Sequence, residues 1–178
     1  MNLLLFGVSN VGKSTTGLIL SGKLGFAFHD LDDEVKQEYK TTLEVFVNTG
    51  TLRERDAKRC RIIKDVIHKD DSDKIIAVSP ITYVDAIKPL MRSKDILAVE
   101  LCDSAENIFD RLVFSDENDI IYTDDEYKNQ HRDHYLEDIN EDIEWYGNIY
   151  SAFCKRFYMN GDPPEEVADR LINEFHLT

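Results

Sequence analysis

The chain has 178 residues, of which 42% are hydrophobic and 31% charged, so it can bury a core and is predicted to be one domain over residues 1–178. Its formal net charge of −14 argues against a nucleic-acid partner, because a polyanionic duplex would be repelled. No apolar run approaches the roughly 20 residues of a membrane helix. We expect a cytoplasmic monomer with no membrane and no nucleic-acid partner.

Short apolar runs alternate with amphipathic segments along the whole chain. The predicted strands are Asn2–Phe6, Gly25–Asp30, Lys74–Val78, Asp95–Leu101 and Arg156–Met159. The predicted helices are Lys13–Leu24, Leu31–Asn48, Thr51–His68, Val84–Met91, Ala105–Phe114, His131–Phe153 and Glu165–Phe175. Strands that alternate with helices form parallel sheets covered on both faces. The order therefore predicts a three-layer α/β/α fold with a five-stranded parallel sheet.

The polar segment 115–131 interrupts this pattern and is predicted to form a helical lid. It begins an acidic stretch, Asp116–Glu144, that holds twelve acidic residues against only Lys128 and Arg132. Two interpretations stay open for this stretch: a solvated helix–loop–helix face, or a mobile flap over a site.

The segment Gly7–Ser14, GVSNVGKS, matches the phosphate-binding pattern G-x-x-x-x-G-K-[ST] between a predicted strand and a predicted helix. The glycines let the backbone curl, so that amide N–H groups and the N-terminus of the next helix form an anion site. Lys13 is predicted to reach the β- and γ-phosphates of a nucleotide, and Ser14 to bind Mg²⁺. A glycine-rich turn without a ligand is the alternative. The predicted nucleotide-binding residues of this region are Gly7, Asn10, Val11, Gly12, Lys13, Ser14 and Thr15.

From this loop onward the sequence resembles the shikimate kinase family of small P-loop kinases, in length and element order over most of the chain. The family has a glycine at the position of Asn10, and asparagine tolerates the left-handed backbone that such a position needs. The segment Leu24–Val35 resembles the family's second strand followed by D-x-D. The resemblance implies that Asp30 lies near Mg²⁺ and the attacking hydroxyl, and that Asp32 holds hydroxyl groups of the acceptor. Without the family, aspartates at a helix start are also typical caps.

The segment Thr51–Lys58, TLRERDAK, resembles the family's F-R-x-x-E motif. The resemblance implies that Arg53 grips a carboxylate of the acceptor and that Asp56 holds this arginine. Without the family, an arginine and an aspartate three residues apart form a routine surface pair. On the nucleotide side, Arg111 matches the arginine on the helix before the lid, and Asn160 lies in the turn that closes over adenine in the family.

The acceptor side departs from the family. Ser79, Pro80 and Ile81 stand where the family has three glycines whose backbone approaches the substrate ring, yet proline lacks an N–H and isoleucine fills space. Asn118 takes the place of the lid arginine, and Tyr146 that of a second carboxylate-binding arginine. Ser79 and Tyr146 are therefore predicted to line a changed acceptor pocket. Loss of a phosphoryl-stabilising arginine lowers rates by about 10³ or more, so these departures argue against shikimate as the acceptor.

Arg132 is the only arginine between Arg111 and Arg156, and it is predicted to replace the missing lid arginine. The resulting prediction is an ATP- and Mg²⁺-dependent phosphotransferase that acts on a small hydroxyl metabolite, with Lys13, Asp30 and Arg132 as catalytic residues. One alternative is a nucleotide-binding protein that has lost phosphotransfer and acts through a partner. The other is a kinase for a different acceptor, such as a nucleotide or a sugar acid.

Overall fold

Seven strands form two sheets in a computed structural model that describes all 178 residues. The strands are β1 (Asn2–Phe6), β2 (Ala27–Asp30), β3 (Lys74–Ala77), β4 (Ile96–Cys102), β5 (Phe114–Ser115), β6 (Ile121–Tyr122) and β7 (Lys155–Tyr158). Five of them pair in parallel in the order β2-β3-β1-β4-β7, while β5 and β6 form a separate antiparallel hairpin. The predicted five-stranded parallel sheet is confirmed.

Eight α-helices and one 3₁₀ turn lie between and after the strands. The helices are α1 (Lys13–Leu24), α2 (Leu31–Tyr39), α3 (Leu43–Val47), α4 (Leu52–His68), α5 (Ala105–Asp110), α6 (Asp125–Gln130), α7 (Arg132–Tyr150) and α8 (Pro164–Phe175), and the 3₁₀ turn is Leu90–Arg92. None of the helices combines the length and the apolar character needed to cross a membrane.

The central strand β1 divides its side chains between two hydrophobic clusters, one on each face of the sheet. Leu3 and Leu5 pack with α1 and α8 on one face, and Leu4 and Phe6 pack with α2 and α4 on the other. Side chains alternate across a strand, so a continuous apolar run is buried only when both faces are covered. The run that predicted a buried first strand therefore also predicted the three layers.

A capping box fixes the start of α4. The Thr51 hydroxyl accepts a hydrogen bond from the Glu54 amide at 3.2 Å, and the Glu54 carboxylate accepts one from the Thr51 amide at 2.7 Å. Both contacts satisfy amide groups that have no partner inside the helix. The box therefore sets where α4 begins, and with it the positions of the charged residues that α4 carries toward the site.

Three predicted helices differ from the observed ones by four residues or more. The helix expected over Leu31–Asn48 is split, because Lys40 adopts a left-handed φ of 50° and Thr42 caps a new helix, α3. The helix expected over Val84–Met91 is a series of turns ending in the 3₁₀ turn, since Pro89 lacks an N–H and disfavours the helical conformation of the residue before it. The helix expected over Ala105–Phe114 ends at Asp110.

The predicted lid is not purely helical. Residues 114–122 form the β5–β6 hairpin, and only the six residues of α6 are helical before α7 begins. The hairpin is closed by Asp116, whose carboxylate accepts hydrogen bonds from the amides of Asn118 and Ile120. A short aspartate-closed turn of this kind leaves no hydrophobic periodicity for a sequence pattern to detect.

Candidate active site

The loop between β1 and α1 has the curled backbone that its sequence predicts. Gly7, Asn10 and Gly12 all have positive φ angles, of 138°, 60° and 114°. A Cβ atom on Gly7 would lie 2.7 Å from the carbonyl oxygen of Leu101, so no larger residue fits there. Asn10 supplies the left-handed conformation at the position where the family has glycine. The substitution therefore preserves the curve of the loop.

Lys13 lies buried at the centre of this loop. Its ammonium group donates to the carbonyl oxygens of Gly7 at 3.0 Å and Val8 at 2.7 Å. Burial lowers the pKa of Lys13 to about 8, and the nearby carboxylates of Asp32 and Asp30 oppose that decrease. The only direct partners of this buried ammonium group are neutral, so an anion at the loop would stabilise its charged form.

Ser14 and Asp30 meet at the carboxyl edge of the sheet. The Ser14 hydroxyl donates to Asp30 Oδ2 at 2.5 Å. The other carboxylate oxygen, Oδ1, accepts from the amide of Asp32 at 3.0 Å and so caps α2. Asp30 ends β2, and the loop carrying Ser14 follows β1, so two parallel strands deliver both groups to one edge. Asp30 thus serves as a helix cap while keeping one oxygen at the phosphate loop.

Asp32 faces the same edge from the first turn of α2. Its Oδ1 accepts a hydrogen bond from the Ser79 hydroxyl at 2.6 Å. Burial raises the pKa of Asp32, and the hydrogen bond from Ser79 opposes that rise. The structure therefore brings together Lys13, Ser14, Asp30, Asp32 and Ser79, five of the predicted site residues.

The segment that follows β3, residues 79–83, is held by side chains of the fold. The amide of Ile81 donates to the Tyr150 hydroxyl at 2.9 Å, and the amides of Thr82 and Tyr83 donate to Asp56 Oδ2 at 3.0 Å. The expectation that Ile81 fills acceptor space is wrong: its side chain is fully buried in the hydrophobic core. No backbone N–H of residues 80–83 is left for an acceptor, since residue 80 is proline.

Asp56 does not hold Arg53, contrary to the prediction from the F-R-x-x-E resemblance. Arg53 is exposed, and its guanidinium lies 4.2 Å above the centre of the Tyr83 ring. Asp56 is fully buried and pairs with Arg59, whose Nη1 lies 3.1 Å from Asp56 Oδ1. Sequence reasoning missed Arg59. The available signal was its place on the apolar face of α4, beside Cys60 and in line with Ile63.

Tyr146 packs at the edge of the same region. Its ring stacks on Tyr150 with 5.7 Å between ring centres, and its hydroxyl lies beside Thr82. The neighbouring Trp145 places its indole N–H 3.4 Å from the Thr82 hydroxyl. These contacts place Tyr146 against segment 79–83. That Tyr146 lines the acceptor pocket stays a prediction.

Arg111 lies on the opposite side of the phosphate loop. Its Nη1 donates to the carbonyl oxygen of Val11 at 3.3 Å, and its Nη2 lies 2.7 Å from the Asp103 carboxylate. Asp103 also accepts from the amide of Gly161 at 3.3 Å, next to Asn160, whose φ is 59°. Asp103 was not predicted, yet it joins the loop, Arg111 and the turn after β7.

Thr15, which was predicted to bind the nucleotide, lies exposed in the first turn of α1.

Arg132 does not contact the residues that meet at the phosphate loop. It is exposed at the start of α7, with its guanidinium 5.0 Å from the centre of the Phe109 ring. The hairpin tip reaches α3 instead: Asp119 Oδ2 accepts from the amide of Leu43 at 2.8 Å. Residues 114–122 contain three carboxylates and no lysine or arginine. The structure therefore does not bring Arg132 to Lys13 and Asp30, and the hairpin has no cationic side chain that could take its place.

A parallel α/β sheet with a phosphate loop between its first strand and first helix defines the class of fold, that of the P-loop NTPases. The profile of the shikimate kinase family matches residues 9–176. The chain belongs to the shikimate kinase family. Family membership confirms the predicted resemblance and the predicted class of enzyme, an ATP-dependent phosphotransferase.

Similar proteins include kinases for more than one acceptor. The shikimate kinase of Persephonella marina is 28% identical over 174 residues, which cover 96% of each protein. The probable gluconokinase of Mus musculus is 28% identical over 134 residues, covering 62% of this chain and 70% of that protein. A stretch of 76 residues, 43% of this chain, is 30% identical to the pentafunctional AROM polypeptide of Schizosaccharomyces japonicus but spans only 5% of its length.

Solved structures share the fold at lower sequence identity. The shikimate kinase of Bacteroides thetaiotaomicron aligns over 99% of both chains with a TM-score of 0.79 at 18% identity. A sugar kinase from Janibacter sp. HTCC2649 aligns over 99% of this chain and 95% of its own with a TM-score of 0.60 at 16% identity. These alignments confirm the predicted P-loop α/β fold.

Proposed function

We propose that this protein transfers the terminal phosphoryl group of ATP to a hydroxyl group of a small metabolite other than shikimate. The observation that carries the proposal is the 2.5 Å contact between the Ser14 hydroxyl and Asp30, next to buried Lys13. A cation, a hydroxyl and a carboxylate thus converge at the mouth of a loop shaped for phosphates. Phosphoryl transfer needs this set, since its catalysis is mostly positioning and charge stabilisation.

The donor residues fit ATP together with Mg²⁺. The Ser14 hydroxyl and the Asp30 carboxylate offer the hard oxygen ligands that Mg²⁺ takes alongside phosphate oxygens. A side chain at Gly7 would clash with the carbonyl oxygen of Leu101, so the loop keeps its curled backbone only with glycine at this position. In this proposal Lys13 binds the β- and γ-phosphates, and the amides of residues 10–15 surround them. Bound Mg²⁺ would neutralise the negative charge that develops on the phosphate oxygens.

Arg111 and Asn160 are proposed to contact the base of the nucleotide. Arg111 lies against the carbonyl of Val11, on the side of the loop away from Asp32. Asp103 fixes both Arg111 and the turn that contains Asn160. A planar guanidinium can stack on an aromatic base, and the hydrogen bond to Val11 keeps the guanidinium of Arg111 beside the loop.

Asp32 is proposed to receive the proton of the acceptor hydroxyl. Its pKa is raised by burial, which makes the carboxylate a better base than an exposed aspartate. As the proton moves to Asp32, the acceptor oxygen forms a bond to the γ-phosphorus, the bond from that phosphorus to the bridging oxygen breaks, and ADP leaves. Ser79 and Asp30 keep Asp32 in position, through its side chain and its amide respectively.

The acceptor side supports a substrate other than shikimate. Residues 81–83 have used their backbone donors internally and Pro80 has none, so these four residues offer no amide to a substrate ring. Arg53 stacks on Tyr83 instead of being held by Asp56, and Tyr146 stands where the family has an arginine. The similarity to a gluconokinase and to a sugar kinase structure supports an open-chain hydroxy compound or a sugar acid as the acceptor class.

The test measures ATP turnover, as the release of ADP, with a panel of small alcohols, sugar acids, nucleosides and shikimate. We expect saturable phosphorylation of at least one compound other than shikimate, and turnover about 10²–10³-fold lower with a Lys13→Met variant. Fast, saturable phosphorylation of shikimate alone would overturn the acceptor proposal. ATP binding without turnover on any compound would establish the alternative, a nucleotide-binding protein without phosphotransfer, which the absence of a hairpin cation favours. Action as a cytoplasmic monomer stays a prediction from the sequence.

A further inference from the structure

Asp103 is a buried carboxylate that lies outside the phosphate loop. It follows β4 directly, and its side chain is 1% exposed. Its Oδ1 accepts hydrogen bonds from the Ser104 amide at 2.9 Å and from Asn107 Nδ2 at 2.8 Å. Its Oδ2 lies 2.7 Å from Arg111 Nη2 and accepts from the Gly161 amide at 3.3 Å. Four N–H donors thus surround one carboxylate, and none of its hydrogen-bonding capacity is left for a ligand.

These contacts keep the carboxyl of Asp103 ionised. Burial alone would raise its pKa, but the hydrogen bonds from Asn107, Arg111 and the amide of Ser104 outweigh burial and lower the pKa. A hydrogen bond between an ionised carboxylate and a guanidinium is roughly twice as strong as a neutral one. Asp103 therefore holds the guanidinium of Arg111 through charge as well as through geometry.

Two neighbours of Asp103 are accessible to a ligand, although Asp103 itself is not. The side chain of Arg111 is 28% exposed, and its Nη1 donates to the carbonyl oxygen of Val11 in the phosphate loop at 3.3 Å. Asn160, which precedes Gly161, is exposed. Asp103 can therefore act on a nucleotide only through Arg111 and through the turn after β7, residues 159–162.

This turn is seated on α5 by close packing as well as by hydrogen bonds. Asn160 and Gly161 both have left-handed φ angles, of 59° and 72°. A Cβ atom on Gly161 would lie 2.8 Å from Asn107 Nδ2, so a larger residue would displace the amide that Asp103 holds. On α8, Arg170 Nη1 donates to the carbonyl oxygen of Met159 at 3.2 Å. Contacts within the protein thus fix the conformation of the turn.

We propose that Asp103 is a positioning residue that holds Arg111 and the turn 159–162 at the spacing that the base of the nucleotide requires. This inference rests on the proposed function, because it concerns the donor half of the same site. Groups that the fold has already ordered need not be ordered by the ligand, which lowers the cost of binding. Asp103 thereby raises the affinity for the nucleoside part of the donor, while the loop residues bind its phosphates.

The experiment separates the nucleoside from the phosphates. Isothermal titration calorimetry measures the binding of ADP and, in a second titration, of inorganic tripolyphosphate, each with Mg²⁺. Tripolyphosphate has no base and no ribose, so it reports on the phosphate loop alone. Neither titration depends on turnover, and retained binding of tripolyphosphate also shows that a variant is folded.

Asp103→Asn keeps the size of the side chain but removes its charge and one of its two acceptor atoms. We expect ADP binding to weaken about 10-fold, the effect of losing one hydrogen bond to a charged group, and tripolyphosphate binding to stay unchanged. In an Arg111→Ala background the same substitution should weaken ADP binding less, because one of the two groups that Asp103 holds is gone. Glu106→Ala, exposed on α5, is the matched control and should change neither affinity.

Three outcomes would overturn the role of Asp103. Equal weakening of ADP and tripolyphosphate would show that Asp103 supports the fold or the phosphate loop instead of the base. Unchanged ADP binding in Asp103→Asn would show that the position does not matter, and an effect of full size in the Arg111→Ala background would show that Arg111 is not held by it.

Failure of the proposed function has a different signature. In that case ADP binding depends on Asp103 as expected, yet the unmodified protein phosphorylates no compound. Where phosphorylation is observed, Asp103→Asn should raise the KM for ATP about 10-fold and leave kcat unchanged, because Lys13 and Asp30 keep their contacts. A decrease confined to kcat would contradict a role in positioning the base.

Discussion

The two halves of the site differ in where their hydrogen bonds go. On the donor side, Lys13 bonds only to neutral carbonyl oxygens, and burial lowers its pKa to about 8. On the acceptor side, the amides of residues 81–83 are already bound to Tyr150 and Asp56. The donor half is thus left open for an anion, whereas the acceptor half has become part of the fold. A change in acceptor can arise in this way without any change in the phosphate loop.

The largest effect is expected when the acceptor half loses its central carboxylate. Asp56→Ala removes the partner of three donors and leaves the charge of Arg59 buried without compensation. Breaking a buried ion pair from one side costs about 3–5 kcal/mol. Urea denaturation should show a decrease of that size in the free energy of unfolding.

The control for Asp56 is Asp65→Ala, which removes an exposed carboxylate from the same helix. Surface substitutions of this kind change stability by about 0.5 kcal/mol or less. Equal stabilities for the two variants would show that Asp56 does not hold segment 79–83, and the contrast between the two halves would fail.

Lys13→Met tests the open half. The substitution keeps a long apolar side chain at the buried position but removes the charge that is proposed to bind the phosphates. We expect kcat to fall by about 10²–10³-fold, as when one preorganised charge-stabilising group is lost. Stability should change little by comparison, because the ammonium group is not part of an internal ion pair. Steady-state ADP release and urea denaturation on one preparation measure both.

Lys23→Ala is the matched control on the same helix, since Lys23 pairs with Asp169 on the surface. Its turnover should equal that of the unmodified protein. A loss of stability in Lys13→Met as large as that in Asp56→Ala would mean that Lys13 is structural, and the donor half would no longer differ from the acceptor half.

Ser79→Ala tests the acceptor half of the site through the pH dependence of turnover. The Ser79 hydroxyl stabilises the ionised form of Asp32, so its loss should raise the pKa of Asp32 further. In the proposed mechanism Asp32 must be ionised to receive the hydroxyl proton, so turnover should fall as the pH drops through this pKa. The acid limb of the kcat/KM profile should therefore move to higher pH in Ser79→Ala and stay in place in Ser79→Thr, which keeps a hydroxyl. A limb that stays in place in Ser79→Ala would exclude Asp32 as the titrating base.

The donor half could be predicted from sequence because its information is local. The segment Gly7–Ser14 is continuous, and the positive φ of Asn10 follows from what asparagine tolerates. Asp30 could be placed because it ends an apolar run, and the ends of parallel strands share one edge of a sheet. The five-stranded sheet followed from the same apolar runs.

The acceptor half could not be predicted in the same way, because its contacts are decided by tertiary packing. Arg53 and Arg59 both lie three residues from Asp56, so spacing alone does not choose between them. Burial decides which arginine pairs with Asp56, because Arg59 lies on the face of α4 that packs on the sheet and Arg53 does not. Similarly, Ile81 enters the core because Tyr150, far away in the chain, binds its amide.

The smallest effect is expected at the hairpin tip, which contacts α3. Asp119 accepts a hydrogen bond from the Leu43 amide and has a φ of 63°. Asp119→Gly removes the acceptor without backbone strain, because glycine adopts this φ freely. Loss of one hydrogen bond of about 1 kcal/mol should speed hydrogen exchange of the Leu43 amide by about five-fold. Glu117→Ala, exposed in the same hairpin, should leave that rate unchanged. If Asp119→Gly also leaves it unchanged, the hairpin does not rest on α3 in solution.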